Sequence, residues 1–93
     1  MLFSVVHEFM HCCIRVLRVA GAAAAPIDNE AFLTLVLAKH RAVLCKAAVP
    51  LPDHRRVAEA VLEYTVKQRF VEVNGDNPVK IQLTKNSESI VIH

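Results

Sequence analysis

The sequence has little of several residue types. Its 93 residues include no tryptophan, one tyrosine and two glycines, and neither charge sign dominates, since 11 lysines and arginines accompany 9 aspartates and glutamates. So little glycine excludes collagen-like and glycine-rich designs, and so few aromatics exclude aromatic-repeat architectures. The resulting net charge of +2 predicts no strong field for binding polyanions.

Cysteine is scarce and poorly placed for a disulfide framework. Cys12 and Cys13 are adjacent, Cys45 stands alone, and no Cys-x-x-Cys spacing occurs. An odd number of thiols favours a reducing compartment, so we expect an intracellular protein of the cytoplasm or the mitochondrion.

Long uncharged stretches are also missing. Residues 1–25 are apolar, but His7, Glu8, His11, Arg15 and Arg18 interrupt them, so we predict no transmembrane segment. The same stretch has two arginines and one acidic residue, which permits a mitochondrial presequence, and the sequence does not decide whether it is cleaved.

Apolar residues are abundant, at 54% of the chain, with a mean hydropathy of +0.34. A domain of this size has a limited core, so we expect some apolar surface to face another protein chain or a second copy. We predict one small domain, with an apolar helix and alanine-rich linker at 1–25, a helical pair at 26–69 and β-structure at 70–93.

The first helix is predicted from Ser4 to Ala20. Its polar residues recur at helical spacing and form one narrow stripe, while apolar residues cover the other faces. Gly21 is expected to end it. We predict that its apolar side chains bind a partner, with these candidate residues: Phe9, Met10, Ile14 and Leu17.

Two further helices follow. The second begins after Pro26 with Asp28 or Asn29 as N-cap, and its last part, 42–49, is apolar enough to form a strand instead. The third begins at Asp53 as N-cap and runs to about Arg69.

The spacing of apolar residues then changes to two. Phe70–Val73 and Val79–Thr84 flank Asn74–Pro78, a dense cluster of turn residues that predicts a hairpin. A short last strand is predicted at 90–92. The fold class is therefore α+β, with three helices followed by a C-terminal β-hairpin or three-stranded antiparallel meander.

This order of elements resembles that of a winged helix. The resemblance implies that the third helix contacts nucleic acid and that Asn74–Pro78 is the tip of the wing. The candidate phosphate-binding residues are basic: Arg55, Arg56, Lys67 and Arg69. Acidic residues on the same helix make nucleic acid the second hypothesis, behind a protein partner.

A strand at 42–49 gives another resemblance. Followed by the helix at 53–69 and the strand at 79–84, it is similar to the opening β-α-β of the thioredoxin-like domain of some mitochondrial ribosomal proteins and a complex I accessory subunit. That resemblance implies no catalytic residues and a place in a mitochondrial assembly.

His7-Glu8-Phe9-Met10-His11 spells His-Glu-x-x-His and resembles the zinc motif of the zincin metallopeptidases. The resemblance implies that His7 and His11 bind zinc and that Glu8 is the general base. No further ligand follows at the close spacing that metzincins use, and Glu59 or Glu63 would have to supply one from a distant helix. We predict no enzyme and no cofactor, and keep a zinc-dependent hydrolase as the third hypothesis.

The function predicted first is that of a non-catalytic small subunit or adaptor of a larger protein complex. Its mechanism is the burial of apolar helix surface against another chain. The other two hypotheses are a winged-helix-like nucleic-acid-binding module and the zinc hydrolase.

Overall fold

The computed structural model describes residues 3–75 and 78–90, with residues 3 and 4 described for their backbone only. The helices and strands in these ranges are α1 (Phe3–Val19), β1 (Ile27–Asp28), α2 (Asn29–Lys46), α3 (His54–Lys67), β2 (Val71–Asn74) and β3 (Lys80–Leu83). Short 3-10 turns occur at Leu51–Asp53 and Lys85–Ser89. Beyond Ile90, the predicted last strand lies outside the described residues.

The predicted α+β class is confirmed, with three helices and a C-terminal hairpin. β2 and β3 pair antiparallel, with Val71 opposite Leu83 and Asn74 opposite Lys80. The third strand, β1, was not predicted. It lies between α1 and α2 and pairs antiparallel with β3, so the strand order is β1-β3-β2.

α2 is helical to Lys46, so the alternative of a strand at 42–49 is wrong. Leu44 is fully buried in the core, and the helix ends in a hydrogen-bonded cap before Pro50. A kink interrupts α2 at His40, whose φ of −121° and ψ of 20° are not helical. The end of α2 is therefore a short helical piece that packs its own apolar side into the core.

The core is built around α1, which packs against α2, α3 and β3. Phe9, Ile14 and Leu17 have no exposed surface, and Met10 is 2% exposed. These are the four residues predicted to bind a partner. The structure corrects that prediction, because α2, α3 and the sheet of the same chain already cover them.

Candidate functional site

The His-Glu-x-x-His residues lie on α1 as expected. The ring centroids of His7 and His11 are 6.3 Å apart, both imidazoles are half-buried, and Glu8 is exposed. Across residues 3–75 and 78–90, no three His, Cys, Asp or Glu side chains lie close enough to hold a metal ion. Within these ranges the motif therefore supplies two neighbouring imidazoles and no third ligand.

The two distant carboxylates considered as zinc ligands have other partners. Glu59 Oε1 accepts a hydrogen bond from Arg55 Nε at 2.8 Å, and Glu63 Oε1 lies 3.9 Å from Lys67 Nζ. Both carboxylates line a groove against the hairpin. The structure does not bring them to His7 and His11.

The three cysteines are free thiols in different surroundings. Cys13 is buried, Cys12 is half-buried and Cys45 is exposed. Burial raises the pKa of Cys13, and burial raises that of Cys12 although Arg15 opposes the shift. Because the thiolate is the reactive form, neither of these two sulfurs is an activated nucleophile.

The predicted phosphate-binding residues do not form one cluster. Arg55 Nη2 lies 2.7 Å from Glu30 Oε1, and Arg55 also bonds Glu59, contacts that raise the pKa of its guanidinium. Lys67 faces Glu63, and Arg69 occupies the turn after α3. Arg56 lies in a separate cleft, so these charges are divided among different surfaces.

That cleft, of about 830 Å³, lies between the start of α1, the end of α2 and the start of α3. Its walls are mainly apolar, and its charged residues are balanced: Glu8, Lys46, Asp53 and Arg56. Beside it, the buried His54 imidazole bonds the Val49 carbonyl oxygen through Nε2 at 2.9 Å. In the described part of the chain its buried Nδ1 has no hydrogen-bond partner. The balanced charges give this cleft no preference for either sign of ligand.

A second concave surface, which we call the hairpin groove, lies between α3 and the sheet and has a volume of about 370 Å³. Its apolar lining comes from α3 and both hairpin strands: Leu62, Val66, Val73, Val79 and Ile81. Val73 is 51% exposed and Val79 is 36% exposed. The hairpin thus presents apolar side chains that the helices of this chain leave uncovered.

The rim of the hairpin groove is acidic. Glu30, Glu59 and Glu63 line it together with one cation, Arg55. Arg55 bridges Glu30 and Glu59, which leaves the formal charge of these four residues negative. An apolar floor with an acidic rim suits a ligand that combines apolar and basic groups.

Sequence reasoning did not identify this groove. Alternation over 79–84 predicted that Val79, Ile81 and Leu83 share a face, but exposure differs among them, from 36% at Val79 to 1% at Ile81. The feature that reveals the groove is exposed valine on the face of the hairpin that turns toward α3. The sequence alone does not show this exposure, because it depends on where α3 lies over the sheet.

No protein-family model, curated protein or solved structure matches this chain. Among the described helices, none combines the length and apolar character that crossing a membrane requires.

Proposed function

We propose that this protein is a non-catalytic small subunit or adaptor that binds another protein chain in the hairpin groove. The observation that carries the proposal is the pair of exposed valines, Val73 and Val79, beside an acidic rim. Covering such apolar surface is favourable, and apolar centres with polar rims are typical of protein interfaces. The free thiols favour a reducing compartment, either the cytoplasm or the mitochondrion, for this complex.

The polar groups of the groove support recognition more than catalysis. Arg55 forms ion pairs with Glu30 and Glu59, and Glu63 pairs with Lys67. The groove offers exposed ion pairs, which contribute charge selectivity to an interface.

The test compares co-purification of cellular proteins with the parent chain and with Val73→Glu, which places a fourth carboxylate in the groove. Val19→Glu is the matched control, because Val19 is 74% exposed at the end of α1, outside the groove. We expect recovery of a specific partner to fall at least tenfold, about 1.4 kcal/mol, with Val73→Glu and to persist with Val19→Glu. Equal recovery with both variants, or a monomer without a partner, contradicts the proposal.

The alternative, a winged-helix-like nucleic-acid-binding module, is favoured by the chain order. The succession α1-β1-α2-α3-β2-β3, with sheet order β1-β3-β2, resembles that of winged helices. Its reading helix would be α3, where Glu59 and Glu63 oppose a phosphate backbone. Salt-sensitive binding of duplex DNA or RNA that weakens with Arg56→Ala and Lys67→Ala would support this alternative over a protein partner.

A further inference from the structure

Among the described strands, the hairpin groove adjoins a sheet edge that no further strand covers. β3 lies between β1 and β2, so β2 is an edge strand. Thr84 N–H donates to the Phe70 carbonyl oxygen at 3.0 Å, so these two residues form a hydrogen-bonded pair. In an antiparallel ladder every second pair is hydrogen-bonded. With the observed register, the next such pairs are Glu72–Gln82 and Asn74–Lys80.

Val73 lies between these pairs and therefore directs its N–H and C=O away from β3. Elsewhere in the described chain, neither group has a backbone partner. Val73 is 51% exposed and lines the hairpin groove at this position of the edge strand. Within residues 3–75 and 78–90, a backbone donor and acceptor without a backbone partner thus lie beside an apolar floor.

We propose, on the basis of the function proposed above, that an extended segment of the partner protein adds to β2 as a fourth strand. Backbone hydrogen bonds to Val73 fix the segment, and side chains alternate between the two faces of the sheet. Those on the groove face are apolar and lie beside Val73 and Val66. Those on the opposite face are lysine or arginine, because the exposed Glu72 lies on the edge strand itself, whereas Lys80, on the same face, lies one strand further from the edge.

Charge identifies the occupant as a basic segment of another protein. Glu59 and Glu63 line the groove side, and Glu72 lies in the middle of the edge strand. A second copy of this chain, paired antiparallel through β2, would place the two Glu72 side chains near each other. Like charges in adjacent strands are unfavourable, and charged edges of this kind oppose self-pairing.

The test uses random linear peptides displayed on phage and selected on the immobilised full chain. We expect the enriched peptides to alternate apolar residues with lysine or arginine. The decisive variants are Val73→Pro, which removes the outward N–H, and Val73→Ala, which trims the same side chain but keeps that N–H. Proline is tolerated on an edge strand where its nitrogen faces away from the neighbouring strand.

A synthetic copy of the enriched peptide should bind Val73→Pro at least tenfold more weakly than Val73→Ala. Equal affinity for both variants overturns strand addition but leaves the groove as a binding site. Enrichment of acidic peptides overturns the charge assignment, and a concentration-dependent dimer that Val73→Pro abolishes assigns the edge to a second copy. If no peptide is enriched while Val73→Glu still loses its cellular partner, strand addition fails and the proposed function stands. Failure of both experiments overturns both proposals.

Amide hydrogen exchange on the unmodified chain gives a second measurement that does not depend on a folded proline variant. The enriched peptide should slow exchange of the Val73 amide at least tenfold. The Glu72 amide faces β3 and should change little, so it is the internal control. Equal protection of both amides, or of neither, contradicts strand addition.

Discussion

At the residue scale, the ends of the three helices share one backbone conformation. Gly21, Ala48 and Arg69 follow α1, α2 and α3 with φ values of 79°, 60° and 66°. Each donates its N–H to a carbonyl oxygen three residues earlier, for example Ala48 to Cys45 at 3.0 Å. This is the Schellman arrangement, which favours glycine because a β-carbon is strained in the left-handed region.

Replacing the strained residues with glycine should therefore stabilise the protein. We expect Ala48→Gly and Arg69→Gly each to raise the free energy of unfolding by about 0.5–1 kcal/mol, since the relief of left-handed strain exceeds the added entropy of the unfolded chain. Urea denaturation followed by circular dichroism measures the change. Ala60→Gly, at an exposed position inside α3, is the control and should lower stability by about 1 kcal/mol.

His40 makes stability depend on pH. Burial, Arg15 and Lys39 lower its pKa in the folded protein, whereas the unfolded chain retains an ordinary value of about 6.5. As pH falls through about 6.5, the unfolded state takes up the proton first, so stability decreases until the lower folded-state pKa is passed. We expect His40→Gln to lose less stability than the parent on acidification.

Thermal unfolding at neutral and mildly acidic pH measures this difference. His11→Gln removes one imidazole from α1 and is the matched control. If His40→Gln and His11→Gln change the pH dependence equally, the cationic neighbours of His40 have no special effect.

At the scale of elements, α2 and α3 begin differently although an aspartate precedes each. Asp28 Oδ2 accepts a hydrogen bond from Ala31 N–H at 3.0 Å, so Asp28 is the N-cap of the two residues that the sequence left open, Asp28 and Asn29. Asp53 occupies the N-cap position but makes no side-chain capping bond. The 3-10 turn at Leu51–Asp53 leads directly into α3, and His54 N–H already bonds the Leu51 carbonyl oxygen.

The two aspartates should therefore differ in their contribution to stability. We expect Asp28→Ala to lower the free energy of unfolding by about 1 kcal/mol, the usual cost of losing a capping bond. Asp53→Ala should change it by less than about 0.5 kcal/mol, as is usual for a surface substitution. Urea denaturation of both variants provides the comparison, and equal losses would mean that the observed cap contributes nothing specific.

Periodicity predicted the longer elements but not β1. Helical spacing marked α1 and α3, and alternation with a turn cluster marked the hairpin. Ile27 and Asp28 are too few to show any period, and they form a strand because β3 offers an edge to pair with. A strand of two residues forms only through pairing with a distant strand, so the local sequence contains no pattern that predicts it.

At the scale of the whole molecule, the apolar surface of α1 becomes core. Leu17 has no exposed surface, whereas Val19, two residues later, is 74% exposed. The composition indicated that α1 is too apolar to face water, which is correct. The prediction that another protein covers it was wrong, because α2, α3 and the sheet of the same chain do so.

Core placement of Leu17 has a measurable consequence for the isolated chain. Leu17→Ala should lower the free energy of unfolding by about 2–5 kcal/mol, because a buried side chain leaves a cavity. Val19→Ala should change it by less than about 0.5 kcal/mol. If Leu17→Ala left stability unchanged, α1 would lie outside the core. Ile14→Val, expected to cost about 0.5–1.5 kcal/mol, gives the same comparison if Leu17→Ala does not fold.

The candidate site was less predictable from the sequence than the helices and strands were. Sequence reasoning placed Val73 and Val79 in a hairpin and Glu59 and Glu63 on a helix. It did not place those carboxylates beside the exposed valines, because the placement depends on where α3 crosses the sheet.

The sequence by itself determined the type of α1, α3 and the hairpin strands through periodicity, and the end of α1 through Gly21, but it left 42–49 open between helix and strand. It also determined that His7 and His11 share one side of a helix. The tertiary structure alone decided that Leu17 is covered and Val73 is not. The physical reason is that backbone conformation responds to neighbouring residues, whereas burial depends on which distant surfaces meet.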